Sequence, residues 1–361
     1  MDDDEPRRFF GPSRDLGSTI GGGDGAQPPP RLGDPLSAAD AEALMSIVGQ
    51  PELPESWKQG FFFAGYQSYG LQQVSGGPCG VIAAVQAFLL RALLQRAPSA
   101  AAVLEVDEKL RHEALLDALA EVLFRNAGDG KKAVVLVPSS SAAVPLSLSS
   151  IRCLQPALFT SYEQLRYHLN QRPYRDLLLN PSGCGIPLLL YSLVWTRGVE
   201  SIRERDADDP KTCAMIGAHG YCTQELVNLM VIGKAYSNVF DGTKRLGSAK
   251  DGWCVLQGVP RRGNVGFLSL FEAFKCIESH YTVLFSPDAG VDPQDANRAI
   301  ELYYFDQLAR QSDQIRLTVL PRQLPSHLST GFEDGESMID RCIRTKWKDA
   351  SVDWNGSDVI L

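Results

Sequence analysis

The stretch Gln72-Gln73-Val74-Ser75-Gly76-Gly77-Pro78-Cys79-Gly80 sets a thiol directly ahead of a long apolar run, Val81 to Leu94. Within that run Val81, Ala84, Val85, Phe88, Leu89, Ala92 and Leu93 recur at the spacing of one helical face. Pro78 suits the first helical position, where its missing N–H would have no partner anyway. The two glycines before it let the backbone turn sharply into the helix. Cys79 is therefore expected in the first turn, at the positive end of the helix dipole, a position that favours the nucleophilic thiolate. Gln73 lies six residues earlier. Its amide could fold back over the cysteine and, with the Cys79 N–H, cradle the oxyanion of an acyl transfer. The plainer alternative is a structural cysteine that opens a core helix, since cysteine is among the most buried residue types.

A cysteine nucleophile needs a base within hydrogen-bond reach, and usually a third group to orient that base. The chain has five histidines. His112 and His168 fall on amphipathic helices, and His327 sits in a proline-flanked loop. His219 stands near Cys222, but two soft ligands alone make a weak metal site, and this loop reads as structure touching the active-site wall. His280 directly precedes Tyr281-Thr282-Val283-Leu284-Phe285, a strand signal rich in β-branched and aromatic residues. A second strand, Glu301 to Asp306, follows a loop with Pro287, Gly290 and Pro293. If the two strands pair antiparallel, the end of the second lies beside the start of the first. Asp306, with Gln307 next to it, would then sit near His280 and hold its ring in the required tautomer. The alternative is a histidine that merely begins a strand, with a solvated carboxylate ending its neighbour. The order Cys, His, Asp, with the cysteine on a helix and the histidine on a strand, is that of papain-like peptidases.

The elements that must hold these groups follow from the rest of the chain. Its 361 residues suffice for one large domain or two ordinary ones, and 44% hydrophobic residues exclude global disorder. The net charge of −8, with no dense basic run, argues against a nucleic-acid binder. Eight scattered cysteines without a Cys-x-x-Cys pair read as a reduced protein. The acidic N-terminus lacks an apolar signal core and no apolar run is of membrane-spanning length, so a soluble protein of cytoplasm or nucleus is expected, with no membrane partner. Residues 1–35, rich in Gly, Pro and Asp, read as a flexible tail, and residues 36–361 as one catalytic domain. Ser37 is placed to cap a helix over 38–48, Ser161 one over 162–170 and Thr223 one over 224–232. Further helices are expected over 106–126, ended by Gly128-Asp129-Gly130, and over 185–198. Strands are expected at 133–137 and 255–259, a serine-rich loop at 139–149, a charged solvated connection at 203–210, and a short apolar helix or turn at 267–271.

Several of these residues coincide with a known family. QVSGGPCGVIAAVQ (73–86) resembles the nucleophile motif of the MINDY deubiquitinases, and GAHGYCTQELVNL (217–229) resembles the fourth subfamily. So do HYTVLF (280–285), LYYFD (302–306) and the tail CIRTKWKDASVDWNGSDVIL (342–361), so that the likeness spans roughly residues 57–361. The resemblance implies an α+β fold: a papain-like cysteine peptidase variant with a nucleophile-bearing central helix packed on a mostly antiparallel sheet. It implies cleavage of polyubiquitin, preferentially of chains linked through lysine 48 of ubiquitin, with no metal or organic cofactor. It matches Cys79 to the nucleophile, His280 to the base and Gln73 to the oxyanion-stabilising glutamine, while Asp306 rests on the strand geometry alone. The ubiquitin tail ends in two glycines, so a narrow cleft is expected, with Gly70, Gly76 and Gly77 as its floor.

The family carries a longer segment between the FLSLFE motif (267–272) and the histidine, where this chain keeps only residues 273–279. The shortened segment motivates an alternative, a pseudoenzyme that binds ubiquitin chains without cutting them. A third reading is a cysteine peptidase or acyltransferase with another substrate. Oligomeric state is not legible in the sequence.

Overall fold

Three polar side chains start three helices where the sequence places them. The structure is a computed structural model that describes residues 26–127, 132–139, 151–172, 174–248, 252–261, 263, 265–269, 280–288, 298–321 and 337–358. Ser37 closes a capping box on α1 (Ala38–Val48): its Oγ accepts from Asp40 N, and the Asp40 carboxylate accepts from Ser37 N. α2 (Cys79–Arg96) and the short α3 (Ala100–Leu104) precede α4 (Glu108–Arg125), which is capped by Asp107. Ser161 caps α5 (Tyr162–Leu169), which α6 (Tyr174–Leu179) and α7 (Gly185–Arg197) follow. Thr223 caps α8 (Gln224–Ile232), and α9 (Met338–Lys346) comes near the end of the chain.

Among the described residues nine strands form three sheets, and every pairing between them is antiparallel. β1 (Arg31–Leu32), β3 (Leu154–Phe159) and β2 (Ala133–Pro138) make the first, with α7 packed on β2. β4 (Thr243–Ser248) and β5 (Gly252–Gln257) make an exposed hairpin. β6 (Val283–Phe285), β7 (Ile300–Phe305), β8 (Ile315–Leu320) and β9 (Ser351–Asp353) lie side by side in that order. The fold is thus α+β, as expected, but the nucleophile helix does not lie across the sheet. α2 packs chiefly against α4 and α8, and of the strands only β6 approaches it closely. Contrary to the expectation from sequence, its 18 residues are long and apolar enough to cross a membrane, yet most of that surface is buried inside the protein.

β7 shows how the sheet serves the site. Side chains alternate across a strand. Ile300, Leu302 and Tyr304 enter a small cluster with Leu317, Val319 and Ile343, while Phe305 enters the large cluster that surrounds α2. The strand end at Asp306 is therefore clamped between two apolar clusters.

Two further expectations need correction, and three lie wholly or partly outside the described residues. Residues 26–35, assigned to the flexible tail, are docked: β1 pairs with β3, Gly33 N donates to Pro156 O, and Gln164 Nε2 donates to Pro28 O. The charged stretch at 203–210 is only partly a solvated connection. It begins with a π-helical turn, Ile202–Asp206, and Asp206 is 2% exposed because Arg197 on α7 meets it through two hydrogen bonds. The glycines at 128–130, most of the serine-rich loop and the apolar turn after 269 lie outside the described residues.

Candidate active site

Cys79 is the first residue of α2, one position after Pro78, whose carbonyl accepts the first helical bond from Ile82 N at 3.1 Å. The preceding turn depends on Gly77, at φ 132°. A Cβ there would stand 2.6 Å from Ser56 Oγ and 3.1 Å from Trp57 Nε1, which itself donates to Gly220 O at 2.8 Å. Gly80 lets α8 close on the first turn of α2, since a Cβ at that position would lie 2.6 Å from Val227 Cγ2 and 3.0 Å from Cys222 Cβ. Cys222 N donates to Gly77 O at 3.2 Å. Burial, with Cys79 close by, pushes the Cys222 thiol up, so this sulfur stays protonated and serves as wall. The loop expected to touch the active-site wall does so.

His280 stands three residues before β6, and Asp306 directly follows β7. The antiparallel register sets Val283 opposite Phe305, which brings the two functional side chains to one end of the sheet. Nε2 of His280 donates to Oδ2 of Asp306 at 2.8 Å. The other ring nitrogen is left for Cys79. The hydrogen bond to Asp306, and after it a hydrogen bond to Cys79, lift His280 to about 10 against the opposing effect of burial. The ring is an imidazolium at neutral pH. Burial pushes the Asp306 carboxyl up, but the hydrogen bond and charge of His280 and the N–H groups of Leu308 and Ala309 outweigh it and leave it lowered. Asp306 Oδ1 accepts from Leu308 N at 2.8 Å while Oδ2 faces His280, so the carboxylate is held from both sides, and Gln311 Oε1 accepts from the Asp306 backbone N at 3.2 Å.

Gln73 is fully buried. Its Nε2 donates to Ser75 O at 2.6 Å, inside the loop that leads to Cys79, and its backbone N donates to Gln307 O at 2.9 Å. Gly76 and Gly77 line a cleft of about 490 Å³ with Ser56, His219, Gly220 and Tyr221. Gly70 does not lie on that floor. It is buried against the core, and a Cβ on it would come within 2.4 Å of the Phe305 ring. Its role is to let the strand end that carries Asp306 pack closely.

Sequence reasoning gave Gln307 no role beyond its place beside Asp306. Its Nε2 donates to Cys79 O at 3.1 Å and to Tyr281 O at 2.6 Å. The one local signal was an amide directly after the carboxylate at an otherwise apolar strand end.

The geometry thus unites a thiol at a helix start, an imidazolium and a carboxylate. The domain described as "Deubiquitinating enzyme MINDY-3/4, conserved domain" matches residues 48–278 and 274–356. The chain belongs to this family. It is 39% identical over 336 residues to the human protein named probable ubiquitin carboxyl-terminal hydrolase MINDY-4, covering 85% of this chain and 44% of that protein. It is 37% identical over 359 residues to the Xenopus tropicalis protein of the same name, covering 91% of this chain and 47% of that protein. Human ubiquitin carboxyl-terminal hydrolase MINDY-3 is more distant, at 30% over 284 residues, covering 66% of this chain and 62% of that protein. The chain spans about half the length of the MINDY-4 proteins it matches. No solved structure matches it.

Proposed function

We propose that this MINDY-family domain is a cysteine isopeptidase of papain-like scheme that hydrolyses polyubiquitin, above all chains linked through lysine 48 of ubiquitin. The observation that carries the reading is the hydrogen-bonded line from Asp306 through His280 to Cys79. The Cys79 thiolate attacks the carbonyl carbon of the terminal glycine of ubiquitin. The developing oxyanion takes hydrogen bonds from the Cys79 N–H and the Gln73 amide. His280, already protonated, gives its proton to the departing lysine amine as the C–N bond breaks and a thioester remains. The neutral imidazole then draws a proton from water, whose oxygen attacks the thioester and releases ubiquitin with a free carboxylate. The cleft between residues 76–77 and 218–221 suits an extended, glycine-ended tail, because two glycines let a backbone approach closely. The test is cleavage of tetraubiquitin joined through that lysine. Turnover by wild type, with none by Cys79→Ala or His280→Ala, is the expected result; mutants that retain wild-type turnover overturn it.

One observation favours the second reading, a ubiquitin-binding pseudoenzyme. The family match is broken into two pieces that meet at residues 274–278, just before His280, as a shortened segment would leave it. A ubiquitin probe with a C-terminal electrophile separates the two. Labelling of Cys79 supports the peptidase; binding of chains without labelling or cleavage supports the pseudoenzyme.

A further inference from the structure

We propose that Gln307 is a positioning residue that ties the nucleophile to its base. The inference rests on the peptidase reading above. Gln307 is 1% exposed and touches three of the four catalytic segments. Its side-chain NH2 donates to the carbonyl of Cys79 itself, at 3.1 Å, and to the carbonyl of Tyr281, the residue after His280, at 2.6 Å. Its own carbonyl accepts from Gln73 N at 2.9 Å, and it is bonded through the chain to Asp306.

The arrangement has one chemical orientation. Two carbonyl oxygens face the end of the side chain, so only the amide nitrogen satisfies both; a rotated amide would set an acceptor against two acceptors. The cost of this choice is visible on the other side, where Gln307 Oε1 is buried and accepts no hydrogen bond from the described residues. The tie also spans the junction between α2 and the sheet, where Val283, Phe285 and Phe305 supply the apolar contacts and Gln307 hydrogen bonds. α2 is held by α4 and α8, the His280 segment belongs to the sheet, and only β6 of that sheet packs closely on α2. Tyr281 is anchored at its far end as well, its hydroxyl donating to Gln224 Oε1 at 3.1 Å. Gln307 therefore sets the distance between the first turn of α2 and the His280 backbone, while touching neither reacting atom.

The test replaces Gln307 with Met, which keeps the volume and removes both donors, and with Glu, which keeps the shape and turns donors into acceptors. The first readout is the rate of Cys79 alkylation by iodoacetamide at neutral pH, followed on the Cys79 peptide by mass spectrometry, with exposed Cys254 as internal reference. In Gln307→Met and Gln307→Glu alkylation of Cys79 falls roughly tenfold or more while that of Cys254 is unchanged, as loss of the contact with His280 requires. On polyubiquitin, kcat falls by roughly 10- to 100-fold with KM within about twofold, since the contact serves geometry and not binding. Alkylation rates and kcat equal to wild type overturn the proposal. So does a kcat loss that follows only a fall in Tm, with the Cys79 alkylation rate of the folded protein unmoved. If Gln307→Met does not fold, Gln307→Asn, which keeps the donors one methylene short, is read by the same two criteria. A wild type whose Cys79 is alkylated faster than Cys254 but which cleaves no ubiquitin chains overturns the peptidase reading instead, and leaves the tie to be judged on alkylation alone.

Discussion

His280 Nε2 and Asp306 Oδ2 lie 2.8 Å apart although 26 residues separate them in the chain, because the pairing of Val283 with Phe305 leaves both at the same end of one antiparallel ladder. The imidazole is 36% exposed and the carboxylate only 8%. The buried partner is the fixed anion and the exposed one is the group open to solvent.

The strength of that pair should be readable in Asp306→Asn. An amide can still orient the ring but no longer supplies the charge that lifts it. The His280 midpoint should fall from about 10 toward the ordinary histidine range, and kcat should drop by roughly 10²-fold or more. A histidine ring-proton titration by NMR measures the first; a midpoint that stays near 10 would show that Asp306 is not the source.

The same shift dictates a sign for stability against pH. In the folded protein His280 keeps its proton up to about 10, whereas an unfolded chain loses it near 6.5. Between those values the native state binds the extra proton, so stability falls as pH rises. The contribution is whole below about pH 6.5 and is gone once pH has passed about 10. Urea unfolding at pH 6, 8 and 10 should show wild type losing more than His280→Ala over this window; parallel curves would contradict the assignment.

Gln73 predicts a different kinetic signature. Its amide is set by Ser75 O and by the backbone bond to Gln307. Gln73→Ala should reduce kcat by roughly 10²–10³-fold and leave KM almost unchanged, the pattern of a donor used only in the transition state. A rise in KM at constant kcat would move Gln73 out of the oxyanion hole.

Two glycines separate cleft from core. Gly77→Ala forces a non-glycine residue to φ 132° and drives a Cβ toward Ser56 and Trp57, which should cost at least about 1–3 kcal/mol and disturb the cleft wall. Gly70→Ala should cost about 1–3 kcal/mol by overpacking Phe305, with kcat falling because Asp306 directly follows that ring in the chain. Chemical denaturation gives both costs. A Gly70→Ala protein of unchanged stability and raised KM would instead return Gly70 to the cleft floor.

Much of this was legible locally. Ser37, Ser161 and Thr223 cap helices because a hydroxyl competes for N–H groups within three residues of itself, a matter the immediate sequence decides. Cys79 opens its helix for the same kind of reason, as the first residue after a Gly-Gly-Pro turn. The β6–β7 pairing was legible as well, since two short β-branched and aromatic runs joined by a turn-rich loop favour an antiparallel ladder.

By itself, then, the amino-acid order determined where the helices capped by Ser37, Ser161 and Thr223 begin, that β6 pairs with β7 and that Cys79 opens a helix, since each follows from contacts among residues close in the chain. Only the tertiary structure decided that Gly70 belongs under Phe305, that Asp206 is buried beneath Arg197, and that one amide at Gln307 meets the carbonyl of a cysteine 228 residues away. Those relations depend on how whole elements pack, and a side chain's partner across such a distance leaves no periodicity or spacing to be read.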